Sequence, residues 1–469
     1  MNTAGQGTRT LLILGASGDL TTRLLLPGLG GLVAAGEAEN LSLVGSGRGP
    51  LDDAGWRQRV ADAFAQAGAG GSAVEKVAAT ARYIEADITD PDEKKALLEA
   101  CEPPVAVYFA LPPSITERAC QALATIGVPE GTRLVMEKPF GHDAASAAAL
   151  NELVTSIVPE DHVHRVDHFL GMSTVLNIVG VRFANRIFEP VLSNQHVAAV
   201  EVVFDESLGL EGRAGYYDGA GAMVDMIQSH LLLVLSLMAM EAPSTLSERD
   251  LRGCRAQVLR ATRIWEDDPI SFSRRARYTA GEIDGRTLAS YADEEGVDPD
   301  RKTETFAEIV VAVETWRWAG VPFRLRSGKA IGDPRMEIVV TFKDPAQLPG
   351  GLTGYPGPDR LRLGIAPGDG RLDLEVNVNG PGDPADLDRT TFEATFGAGG
   401  LHEYGEVLKR ILAGDPTLSV RGDVAEDCWR IVEPVLDAWR RDEVPLQEYE
   451  AGSAGPEGWP PSGLPRDQG

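Results

Sequence analysis

The amino-acid sequence predicts an α/β domain built on a parallel, doubly wound sheet, followed by an α+β domain with a large, mainly antiparallel sheet. Three observations carry this. The first third alternates short apolar runs with stretches of helical period, the pattern of βαβ units. Beyond about residue 165 longer β-type runs take over. And 469 residues, 43% of them hydrophobic, exceed what one core usually holds. The expected boundaries are residues 1–165 and 166–450, with 451–469, rich in Gly, Pro and Ser, as a disordered tail.

Each element follows in order. TLLILG (10–15) is a short apolar strand ending in glycine, and DLTTRLLLPGLGGLVAAG (19–36) continues with helical spacing. LSLVGSG (41–47) is a second strand, GWRQRVADAFAQAG (55–68) a helix, ARYIEADI (81–88) a strand and DEKKALLEAC (92–101) a helix. VAVYFALPP (105–113) and TRLVMEKPFG (132–141) are further strands. In a parallel sheet of this kind ligands sit at the carboxyl ends of the strands, where GASGD, GSGR, ALPP and EKPFG fall. In the second domain AVEVVFDES (199–207), EIVVTFK (337–343), RLRLGIAP (360–367) and RLDLEVNVNG (371–380) read as strands. DMIQSHLLLVLSLMAME (225–241) reads as a long helix among them.

Composition narrows the function. Lys and Arg number 44 against 70 Asp and Glu, a formal net charge of -26. So acidic a chain is not expected to bind nucleic acid or an anionic membrane. The four cysteines, Cys101, Cys120, Cys254 and Cys428, are scattered without metal-ligand spacing, so reduced thiols in a cytoplasm and no metal are expected. The N-terminus lacks a signal-peptide pattern, and no apolar run reads as long enough to span a bilayer; LLLVLSLMAM (231–240) comes nearest.

Several short stretches point to chemistry. Gly15 and Gly18, in GASGDL after the first strand, let backbone approach a pyrophosphate at a helix N-terminus, with Asp19 beside them. An ordinary tight turn is the plain alternative. Arg48 closes the second strand in GSGR. An arginine there suits the 2′-phosphate of NADP, whereas an acid would favour NAD, and a solvated loop arginine is the plain alternative. Lys138 in EKPFG points into the same crevice or lies on a surface turn. Asp167 and His168 are adjacent, and His230 sits five residues after Asp225 ahead of a heavily apolar run. A buried neutral histidine beside a carboxylate makes a general base, although a lone histidine is more often a core residue bonded to a carbonyl.

Together, GASGDL (15–20), EKPFG (137–141), RVDHFLG (165–171), YYDGAGAMVDMIQSHLL (216–232) and GVPFRLRSGK (320–329) resemble the glucose-6-phosphate dehydrogenase family in order and spacing, as does DCWRIVEPVLDAW (427–439). The resemblance covers residues from about 10 to about 450 and implies a Rossmann coenzyme domain. It implies oxidation of a hexose at C1 to the lactone with hydride transfer to NADP, NAD being an open alternative. It also implies a homodimer or homotetramer in the cytoplasm. On this pattern His230 is the base, Asp167 orients it, and Asp225 and Glu206 hold sugar hydroxyls. Lys138 and Lys329 reach the substrate from two sides, and His168 faces a phosphate pocket. Gly15, Gly18, Asp19 and Arg48 lie on the cofactor side, with Ala110, Leu111 and Pro112 along the nicotinamide crevice.

The chain departs from the pattern in one set. The family's RIDHYLGK loop ends in a lysine that helps bind the sugar's 6-phosphate; here that position is Met172, and the tyrosine before it is Phe169. Leu24 stands where a second lysine is usual, and Ala366 precedes Pro367 where glutamine is frequent. Arg23, Arg324, Arg326 and Arg335 are the candidate replacements. The hydride-transfer set is complete and the oxyanion set is thinned. An unphosphorylated or differently substituted sugar is therefore the close alternative, and a non-catalytic cofactor-binding paralogue the distant one.

Overall fold

The computed structural model describes residues 7–49, 51–212, 214–368, 370–397 and 399–457. They fall into two compact units. The first comprises Met1–Met172, Pro243–Ala256 and Gly399–Trp429, and the second Ser173–Ala242, Gln257–Ala398 and Arg430–Gly469. A single linear cut near 165 does not register the two later segments that return to the first unit.

The first unit is built on a six-stranded sheet: β1 (Thr10–Leu14), β2 (Ser42–Gly47), β3 (Arg82–Glu85), β4 (Val105–Phe109), β5 (Arg133–Glu137) and β6 (Val163–Val166). Their order is β3-β2-β1-β4-β5-β6 and every pairing is parallel, so all six carboxyl ends share one edge. β1 and β4 are buried along their whole length, which their unbroken apolar runs require. β6 escapes a hydrophobicity reading because two of its four residues, His164 and Arg165, are polar yet fully buried. Their burial is compensated in part. His164 Nδ1 lies 3.1 Å from Ser419 Oγ, and Arg165 donates to Asn151 at 3.0 Å and to Glu160 at 2.9 Å. On one face of the sheet Leu26 and Leu29 join Trp56, Phe64 and, from the late helix Glu403–Ala413, Tyr404, Leu408 and Ile411 in a single apolar cluster.

The second unit carries a ten-stranded sheet. Its strands are β7 (Val197–Asp205), β8 (Thr262–Ile264), β9 (Ser273–Thr279), β12 (Phe306–Val313), β13 (Pro322–Gly328), β14 (Met336–Phe342), β15 (Arg360–Gly364), β16 (Gly370–Asn379), β17 (Leu387–Phe396) and β18 (Leu446–Glu450). A separate hairpin joins β10 (Gly281–Ile283) to β11 (Arg286–Leu288). The order runs β17-β16-β15-β14-β7-β13-β12-β9-β18, with β8 beside β12. Only the pairs β7–β13 and β9–β18 are parallel. The mixed, mainly antiparallel sheet is thus as the sequence reading expects.

Two expectations need correction. Helix Ala214–Ala239 is long and apolar enough by composition to cross a bilayer, contrary to the reading that no segment is. With 94% of its apolar window buried, it is the core helix of this unit. The apolarity comes from burial on all sides rather than from lipid. The tail is not disordered from 451 onward: Gly452 N donates to Ala330 O at 2.9 Å, Gly332 N to Ser453 O at 3.0 Å and Arg326 to Ala454 O at 2.9 Å. Small residues there allow close backbone approach, an ideal Cβ on Gly332 falling 2.0 Å from Gly452 O. Residues 458–469 of the expected tail lie outside the described residues.

Candidate active site

In the first unit the sequence-derived residues line the carboxyl edge of the parallel sheet. β1 ends at Gly15, whose φ of +87° suits glycine alone among common residues. A Cβ there would sit 2.2 Å from Ala110 O and 3.0 Å from a Leu111 methyl, so Gly15 is pressed against the 110–112 turn. Gly18 N donates to Gly15 O at 2.9 Å, and Thr21 Oγ1 donates to the same carbonyl at 3.1 Å. This tight turn opens the helix that follows. Asp19 projects into solvent and pairs with Arg23 at 3.2 Å. Arg48 extends from the end of β2 with 72% of its side chain exposed, 4.0 Å from the Asp87 carboxylate.

β5 delivers Glu137 and Lys138 to that edge, with a cis peptide between Lys138 and Pro139. Tyr108 of β4 donates a short hydrogen bond to Glu137, and Tyr404 donates another. Burial pushes the Glu137 carboxyl up to about 7; the two tyrosines hold it down in part, while the charge of Asp167 raises it and that of Lys138 lowers it. β6 then ends at Asp167, 1% exposed, whose Oδ1 accepts the Phe169 amide at 3.1 Å and so starts the turn His168–Gly171. His168 stacks on Tyr404, with centroids 5.8 Å apart and planes 13° apart. Arg255, wholly buried in the returning segment 243–256, is pushed down to about 10 by burial and drawn back up by Asp167. Met172 ends the turn and is 4% exposed, among apolar neighbours such as Phe169 and Leu170 on the same turn.

In the second unit β7 and β13 run parallel, with Gly328 opposite Asp205, so the residues just beyond them lie side by side. Lys329 Nζ donates to Glu206 Oε2 at 2.6 Å and stands 5.2 Å from the centroid of the Tyr217 ring. The helix Met223–Leu231 packs against β7, β12 and β13. It carries Asp225 and His230, 7% and 1% exposed. It is wound as a π-helix, the amide of Leu232 closing on the carbonyl of Ile227 five residues back. The winding matters for the spacing. At 3.6 residues per turn, side chains five apart diverge by about 140°. An i→i+5 helix brings them onto one face. Asp225 and His230 therefore share a face here.

Residues 12–177 match the family described as glucose-6-phosphate dehydrogenase, NAD binding domain, and residues 179–460 match glucose-6-phosphate dehydrogenase, C-terminal domain. The chain belongs to the glucose-6-phosphate dehydrogenase family. It is 39% identical over 465 residues to the glucose-6-phosphate 1-dehydrogenase of Gluconobacter oxydans, covering 95% of this chain and 94% of that one. It is 34% identical over 475 residues to the Bacillus subtilis enzyme of the same name, covering 97% and 96%. Among solved structures it resembles a glucose-6-phosphate dehydrogenase in complex with its substrate glucose-6-phosphate, at a TM-score of 0.84, 29% identity and 97% of both chains. It also resembles the enzyme from Mycobacterium avium, at a TM-score of 0.83, 30% identity and 96% of both chains. This family membership makes the protein an oxidoreductase.

Placed in that family, the four candidate arginines separate. Arg326 is held by the buried carboxylate of Asp205 at 3.1 and 3.0 Å, and Arg324 forms a short pair with Glu201 and lies 3.3 Å from Glu308. Arg23 follows the Gly15 turn and pairs with Asp19. Arg335 is 26% exposed at 3.9 Å from Glu201 and 3.7 Å from Glu337. It lines a cleft of about 460 Å³ with Arg362, Arg371 and Ala366. Sequence reasoning missed Tyr108, Tyr404, Arg255, Tyr217 and Glu304. Tyr217 lay in plain view in YYDGAG and Tyr108 in VAVYFALPP; Tyr404, Arg255 and Glu304 carry no local signal, because distant segments bring them in.

Proposed function

We propose that the protein oxidises C1 of glucose 6-phosphate to the lactone with NADP as hydride acceptor. The observation that carries the reading is the placing of His230 and Asp225, both buried, on one face of a π-wound helix packed against the strands that present Glu206 and Lys329. Removing hydride from an alcohol carbon requires that its hydroxyl proton leave as well. His230 takes that proton, its burial at the start of an apolar stretch keeping the imidazole neutral and able to accept it. Asp225, Glu206 and Lys329 orient the sugar hydroxyls; Lys329 arrives already aligned by Glu206, which lowers the ordering cost.

The residues present suit a dinucleotide. The Gly15 turn at a helix N-terminus takes phosphate, and Arg48 at the end of β2 has no acid on its own strand end, which favours a 2′-phosphate. Ala110, Leu111, Pro112 and Lys138 border the nicotinamide end, and Gly18 and Asp19 the phosphate end. The nicotinamide ring supplies the hydride-accepting carbon.

One observation favours a second substrate. Met172 and Phe169 are buried and apolar, and Arg324 and Arg326 are already engaged by carboxylates. An unphosphorylated sugar would fit such a thinned oxyanion set. Purified protein given NADP⁺ or NAD⁺ with glucose 6-phosphate or glucose distinguishes them by kcat/KM. His230→Asn should abolish turnover with cofactor binding retained; full activity in that variant defeats the assignment. The 39%-exposed Val378 and 61%-exposed Phe392 on β16 and β17 support association through the large sheet; we propose a homodimer or homotetramer, in the cytoplasm. Sedimentation tests this, and a monomer at micromolar concentration rules it out.

A further inference from the structure

We infer that Glu304, just ahead of β12, is a positioning residue for the helix that carries Asp225 and His230. The inference rests on the function proposed above. The helix lacks a cap of its own: the residue before Met223 is Ala222, which has no side-chain acceptor. Helix starts leave backbone N–H groups unsatisfied, and an adjacent residue such as Ser or Asp normally accepts one. Here Glu304 does so from another element. Its Oε1 accepts the Met223 amide at 3.0 Å, and its backbone carbonyl accepts the Ala222 amide at 3.1 Å. A carboxylate at that end also complements the helix dipole.

The approach of the chain is shaped to admit this carboxylate. Gly221 breaks the preceding helix at φ 65° and ψ 175°. A Cβ on Gly221 would lie 2.3 and 2.7 Å from the two Glu304 oxygens and 2.6 Å from their carbon, so the missing side chain is the space the carboxylate fills. Glu304 is itself 7% exposed. The next residue extends the bracket. Thr305 O accepts the Lys329 amide at 2.9 Å, and Tyr449, bonded to Thr305 Oγ1 at 2.9 Å, donates to Lys329 O at 2.6 Å. Two adjacent residues thus hold the helix of the proposed base on one side and the proposed sugar-binding lysine on the other. A displacement here moves the reacting groups without touching cofactor or substrate.

Three variants test it. Glu304→Asp keeps the charge and withdraws the acceptor by one methylene. Glu304→Gln keeps an acceptor oxygen at full length. Gly221→Ala displaces the carboxylate. We expect Glu304→Asp and Gly221→Ala to lower kcat at least tenfold with the Kd for NADP⁺ within twofold, and Glu304→Gln to recover kcat to within threefold of wild type. Amide exchange across residues 221–231 should quicken in the first two and not in the third; this readout stands even if the wild type turns over none of the sugars tried. The inference is overturned if Glu304→Asp leaves both kcat and exchange unchanged, or if Glu304→Gln is as impaired as Glu304→Asp.

Discussion

Replacing Met172 by lysine should raise kcat/KM for glucose 6-phosphate relative to that for glucose. Met172 is 4% exposed at the end of the His168–Gly171 turn. One charge-assisted hydrogen bond to phosphate is worth roughly 1.5–3 kcal/mol, or about 10- to 150-fold in kcat/KM at 1.4 kcal/mol per decade. Two of the four candidate arginines are already committed, Arg324 to Glu201 and Glu308 and Arg326 to Asp205. The cost falls on folding. The lysine stem keeps most of the methionine contacts. Bringing an ammonium toward an apolar turn nevertheless costs more than the about 1–3 kcal/mol of a neutral polar group, at about 2–4 °C in Tm per kcal/mol for a unit of this size. The assay compares kcat/KM for glucose 6-phosphate and glucose in wild type, Met172→Lys and Met172→Gln. The glutamine variant adds polarity without charge and should leave the ratio alone. A lysine variant that is folded, binds NADP⁺ and changes the ratio less than threefold refutes the reasoning.

Three other outcomes are expected. Lys329→Met leaves Glu206 without its 2.6 Å partner and should lower kcat/KM for the sugar by about 100-fold, near 3 kcal/mol. Cofactor Kd should stay put, and equal losses in both would count against a role confined to sugar. Gly15→Ala forces a side chain into positive φ and to within 2.2 Å of Ala110 O, so cofactor binding should weaken at least tenfold by fluorescence titration; unaltered binding would dismiss the turn. Burial raises Glu137 and Glu304 from 4.5 to about 7, so each takes up a proton on folding between those values. Their contribution is fully present below pH 4.5 and is lost as pH rises through 7. Glu137→Gln should therefore flatten the decline of Tm between pH 5 and 7, and an identical slope in variant and wild type would exclude it.

What the sequence discloses here is what lies close along the chain. Gly15 and Gly18 declare themselves because the turn, the strand before it and the helix after it fit in a dozen residues. Lys138, Asp167 and Lys329 are legible for the same reason, each being the first residue or two past a strand. β6 is hidden because His164 and Arg165 are buried against partners at 151, 160 and 419, which no local pattern names. The π winding is hidden too: apolar periodicity is too coarse to separate spacing by 3.6 from spacing by a fuller turn across Asp225 to His230. Tyr404, Arg255 and Glu304 reach their places only through the topology, so nothing at their own positions marks them.

The return of residues 399–429 to the first unit has a consequence for synthesis on the ribosome. The apolar cluster behind the parallel sheet is finished by Tyr404, Leu408 and Ile411, yet the sixth strand ends at Val166. At 5–20 residues per second, translation needs about 12 to 50 s to supply the missing helix after the last strand emerges. Throughout that interval the side of helix Leu26–Ala34 that packs on Glu403–Ala413 lacks its cover. An N-terminal fragment cut at residue 172 is frozen in that unfinished state, so the coenzyme unit is to be expressed with the full chain rather than excised.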